Sequence, residues 1–60
     1  MNEFNVEDFV VIDNPDSMFN GLKGTITEVI FSETKGYLYK ISIEGTCMIT
    51  VESERVLTYA

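Results

Sequence analysis

Apolar residues in this chain fall into short runs, divided by clusters of Gly, Pro, Asn and Asp at residues 13–21, 32–36 and 44–46. Runs of this length and spacing predict strands joined by turns, and so a small barrel or sandwich. No segment keeps a helical period over the ~12 residues that a stable helix needs. The first run, Val6 to Asp13, puts Val10 and Ile12 on one face and Phe9 and Val11 on the other, so this strand should be covered at least in part on both sides. The second, Leu22 to Phe31, alternates through Leu22, Gly24 and Ile26 until the apolar pair Val29-Ile30 breaks the count. A β-bulge near Thr27-Glu28 would restore it. Ser32 to Gly36 reads as a hairpin loop with Gly36 at positive φ.

The cleanest period-two pattern follows, with Tyr37, Tyr39, Ile41 and Ile43 alternating with Leu38, Lys40, Ser42 and Glu44. Glu44-Gly45-Thr46 forms a second tight turn, and Cys47, Ile49 and Val51 then alternate with Met48, Thr50 and Glu52. These last two runs should pair antiparallel. Ser53-Glu54-Arg55 suits a single 3₁₀ turn capped by Ser53, before a closing strand Leu57-Thr58-Tyr59. The inward set expected from these phases is Val10, Ile12, Leu22, Ile26, Val29, Ile41, Ile43, Ile49, Val51 and Leu57, completed by Tyr39. Gly21 and Gly24, three apart at the mouth of a strand, imply a sharp turn and a close backbone approach that a side chain would obstruct.

This order of elements resembles the Src-homology-3-like small barrel: all-β, a single five-stranded antiparallel barrel with one short 3₁₀ turn before the last strand. Within it, residues 7–31 resemble a KOW motif, a loop and strand element of certain ribosomal proteins and transcription elongation factors. The matching residues are Phe9-Val10-Val11-Ile12, Gly21-Leu22-Lys23-Gly24-Thr25-Ile26 and Val29-Ile30. Glu7-Asp8 stands where the family usually has Gly-Asp, and the intervening loop is longer and more acidic, with Asp13 and Asp16. The resemblance implies RNA or protein binding through loops at one end of the barrel. Of the motif's own residues, only Lys23 could meet a phosphate backbone.

Sixty residues make one domain, 1–60, with 1–5 expected to be a flexible or loosely packed lead-in. The opening Met suggests a complete short gene product. Only one cysteine is present, Cys47, so no internal disulfide can form; this points to a reducing, cytoplasmic setting. The polar, acidic start has no signal-peptide character, and no apolar run approaches the ~18 residues of a membrane span. Ten acids against four scattered bases, Lys23, Lys35, Lys40 and Arg55, leave a net charge of −6. That balance disfavours nucleic acid, whose binding leans on neutralised phosphates, and suits solubility or a basic partner surface.

Candidate chemistry is sparse. There is no histidine, and Cys47 reads as a small buried strand residue. The carboxylates fall on expected solvent faces and turns, so no catalytic residue, no metal ligand set and no cofactor site is expected. In the loop, Asp13, Asn14, Asp16, Ser17 and Asn20 lack calcium-loop spacing and read as turn formers bonded to their own backbone, with Pro15 setting the bend. Aromatics are many for this length. Met18 is a candidate for exposure; Phe19 either joins it or folds back to plug the core.

The first expectation is therefore a non-enzymatic protein-interaction module, monomeric or weakly homodimeric, for a basic or mixed-charge partner. Its contact surface would combine loop Asn14–Asn20 with hairpin Ser32–Gly36, anchored by Met18 and Phe19 and steered by Asp13, Asp16 and Glu33. Lys23 belongs with these binding residues, and Gly21, Gly24, Gly36 and Gly45 with the structural turns. Two alternatives stand beside it: an RNA- or ribosome-associated KOW-type domain using the four bases, and an acidic mimic that occupies a nucleic-acid site on another protein.

Overall fold

The computed structural model describes residues 3–60. Five strands and one 3₁₀ turn follow in chain order: β1 (Phe9–Ile12), β2 (Lys23–Ser32), β3 (Gly36–Ile43), β4 (Ile49–Ser53), the 3₁₀ turn Glu54–Val56 and β5 (Leu57–Tyr59). They form one antiparallel sheet in the order β4-β3-β2-β1-β5. The sheet is compatible with a small barrel-like fold, but it does not close; β4 and β5 are its two edges.

The local turn chemistry is where the sequence placed it. The β2–β3 register shifts between Ile26 and Glu28, the bulge that re-phases Val29 onto the same face as Ile26. Gly36 and Gly45 take φ of +77° and +82° in the two hairpin turns. Gly21 is at φ +85°, with its N–H donating to the Ile12 carbonyl at 2.7 Å to close the long loop. Gly24 has a different reason to be glycine. It lies in β2 between Val10 of β1 and Ile43 of β3, and a Cβ there would sit 2.4 Å from Ile41 Cγ2 and 2.7 Å from the Ser42 carbonyl oxygen. Ser53 precedes the 3₁₀ turn in extended conformation, but its side chain makes no capping bond, contrary to expectation.

The core holds Phe4, Val10, Ile12, Ile26, Tyr39, Ile41, Ile43 and Leu57, with Phe19, Val29 and Tyr37 packed against it. Three residues expected inside are not. Leu22 lies just before β2 and is exposed, and Ile49 and Val51 face outward from β4. The alternation on β4 is real but its phase is reversed: Thr50 and Glu52 turn inward, and Glu52 is 7% exposed. Cys47 falls in the turn before β4 and is exposed, so it is not the buried strand residue that its neighbours suggested. Met1 and Asn2 lie outside the described residues, but Phe4 is fully buried, its ring edge-on to Tyr39 at 5.5 Å and tilted against Tyr59 at 4.7 Å.

Candidate functional site

The long loop between β1 and β2 is a bonded structure in its own right. Asn14 begins it: its Oδ1 accepts from the Asp16 N–H at 3.1 Å and its own N–H donates to Asn20 Oδ1 at 2.9 Å. Ser17 continues it, with its Oγ accepting from the Phe19 N–H at 3.0 Å. Backbone bonds from Ser17 to Asn14, from Asn20 to Ser17 and from Leu22 to Phe19 complete successive turns. These are the self-bonding turns that Asn, Asp and Ser favour, nucleated where Pro15 fixes φ.

Glu52 ties this loop to the sheet. Its carboxylate accepts from Asn14 Nδ2 at 3.1 Å, Ser17 Oγ at 3.3 Å and Thr50 Oγ1 at 2.9 Å. A carboxylate this buried is tolerable only when several donors satisfy it, and here two of the three come from the loop. The sequence reading put Glu52 on a solvent face. The missing signal was long-range: Asn14 and Ser17 lie 38 and 35 residues away along the chain.

Met18 is 82% exposed, while Phe19 beside it is half-buried and packed on the core. The two readings of Phe19 thus resolve toward the plug. Asp13 and Asp16 are exposed in the same loop, and the Asp13 N–H donates to the Val56 carbonyl at 2.7 Å. Glu33 is exposed but lies in the β2–β3 turn, at the other end of the ten-residue β2 from this loop. Lys23 opens β2 and lines a cleft of about 320 Å³ with Phe9 and Glu44. Loop Asn14–Asn20 and hairpin Ser32–Gly36 therefore belong to opposite ends of one strand.

The bases remain dispersed. Lys40 pairs with Glu28 at 3.9 Å on the outer face of the sheet. Lys35 and Arg55 share a cleft of about 420 Å³ with Tyr37 and Glu54. Glu54 is committed elsewhere: it accepts from the Tyr39 hydroxyl at 2.5 Å and from the Glu3 N–H at 2.7 Å, which hold its carboxyl below the ordinary glutamate value. Burial, and then the bond to Glu54, push the Tyr39 phenol up to about 12. The same hydroxyl accepts from the Phe4 N–H at 3.3 Å, so this network pins the N-terminal segment over the core. Among the described residues, no group of three or more His, Cys, Asp or Glu side chains is placed to hold a metal ion, and no helix is long and apolar enough to cross a membrane. Comparison with protein-family models, curated proteins and solved structures finds no significant match.

Proposed function

We propose that this chain is a non-enzymatic protein-binding module that presents loop 13–20 to a partner of basic or mixed charge, on a frame of the Src-homology-3-like kind. One observation carries the reading: the loop is bonded by its own turns and by the Glu52 clamp, yet it leaves Met18 bare. A binding loop that is already ordered gives up little entropy on docking, and methionine supplies an adaptable apolar anchor. Asp13 and Asp16 beside it would steer a basic surface and raise the on-rate more than the affinity. Phe19 supports the loop from beneath and is not itself the anchor. Hairpin Ser32–Gly36, placed at the far end of β2, is not needed for this contact.

The test is an affinity capture with three baits: the unaltered protein, Met18→Ala, and Asp13→Asn with Asp16→Asn. A partner retained by the first should bind Met18→Ala more weakly by about 1–2 kcal/mol, the truncation cost of an interface anchor. The doubly neutralised bait should associate more slowly and lose salt dependence. Equal retention by all three baits would refute the assignment of this loop. Strong, salt-sensitive shifting of mixed RNA would favour the KOW-type alternative instead.

A further inference from the structure

The β4 edge makes a second surface, unrelated to the loop. The Ile43 N–H donates to the Met48 carbonyl at 2.9 Å. By the antiparallel alternation, Thr50 and Glu52, opposite Ile41 and Tyr39, also turn their backbone groups to β3. Ile49 and Val51 then turn their N–H and C=O groups to the free edge, and among the described residues no loop bond reaches them. Edge strands are usually protected by a charge, a proline or a covering loop. β4, Ile49-Thr50-Val51-Glu52-Ser53, carries no lysine, arginine or proline. Its one charge, Glu52, points inward and is consumed by three donors. Outward it shows Ile49 and Val51, 54% and 51% exposed.

We propose that β4 pairs antiparallel with β4 of a second copy of this chain, about a two-fold axis at Thr50. In that register Ile49 lies opposite Val51 of the second copy, and the converse holds across the axis. The outward backbone groups of these residues meet their complements, and the four aliphatic side chains form one stripe on the outer face. Charge complementarity favours the same register. It brings the exposed Arg55, two residues past β4, toward the exposed Glu44 of the second copy, once at each end. A protein of net charge −6 would repel its own copy through most of its surface, but here it offers a strand with no outward charge between opposite charges.

Sedimentation equilibrium of the full chain tests this. The mass should rise with concentration from 6.8 kDa toward twice that value. Val51→Lys should weaken association by about tenfold or more, because it puts a charge into both apolar cross-strand pairs. Arg55→Glu should weaken it less, and Glu44→Arg combined with Arg55→Glu should restore it. Met18→Ala should leave it unchanged, which separates this surface from the loop. Hydrogen exchange on the unaltered protein gives a readout free of mutation: the Ile49 and Val51 amides should become protected as concentration rises. A monomer at millimolar concentration would overturn the proposal. So would unchanged association of Val51→Lys, or failure of the charge exchange to restore pairing.

Discussion

Replacing Gly24 by alanine adds one methyl group at a place where two strands already touch it. The new Cβ would lie 2.4 Å from Ile41 Cγ2 and 2.7 Å from the Ser42 carbonyl oxygen. The first contact could be eased by a rotamer change, but the second is with backbone of the neighbouring strand. β2 and β3 must therefore separate by several tenths of an ångström, in a ladder that runs from Gly24↔Ile43 to Ser32↔Gly36 with one bulge between Ile26 and Glu28. Overpacking of this kind costs about 2–3 kcal/mol. A domain of this size rarely has more than about 3–5 kcal/mol in total, so most of its stability would go. The midpoint of thermal unfolding should fall by about 10–20 °C. Gly21→Ala is the matched control, because a Cβ there meets nothing within 4 Å and only the φ of +85° is strained. That strain costs about 1 kcal/mol, and Gly21→Asn should cost less because asparagine tolerates the left-handed region. Circular dichroism through a thermal ramp, repeated in urea, ranks the variants. The reasoning fails if Gly24→Ala is as stable as Gly21→Ala, or if Ile41→Ala in the same chain fully rescues it, since the Ser42 carbonyl would remain in the way.

Further outcomes follow from the buried polar network and the N-terminal plug. Glu52→Ala should cost about 2 kcal/mol, the net loss of charge-assisted bonds whose donors can partly rehydrate, and should raise hydrogen exchange at the Phe19 and Gly21 amides above that in the sheet. Phe4→Ala should cost about 3–4 kcal/mol and leave the chain largely unfolded, as read by loss of its near-ultraviolet dichroism. In an ultraviolet titration, Tyr39 should ionise near 12. Its raised value stabilises the folded state fully below the ordinary tyrosine value of 10.0, and that contribution is lost as pH climbs from there toward 12. Glu54 works in the opposite sense: its lowered value contributes stability above the ordinary glutamate value of 4.5, lost as pH falls through the folded-state value. Tyr39→Phe should flatten both limbs of the stability profile, and unchanged limbs in that variant would exclude the network as their source.

Local features were legible from residue order alone. Period-two alternation marked Tyr37 to Ile43 as a strand, Gly36 and Gly45 marked the two hairpin turns, and the broken count at Val29-Ile30 marked the bulge. Each depends on neighbours within a few positions, where sterics and backbone bonding act directly. The candidate loop was legible in part. Its turn-forming residues and the bare Met18 could be read from sequence, but the clamp that holds it could not.

Tertiary structure decided the rest, and β4 shows why. Alternation established that Ile49 and Val51 share one face and Thr50 and Glu52 the other, but either face could turn inward. Hydrophobicity alone would bury the aliphatic pair. The structure buries Glu52 because Asn14 and Ser17 arrive from the far side of the chain to bond its oxygens, and it leaves Ile49 and Val51 on an unpaired edge. Phe4 is buried for the same kind of reason, through Tyr39, thirty-five residues on, and Tyr59 near the other end of the chain. Periodicity along a chain records which residues share a face; which face is inside depends on partners that only folding brings near.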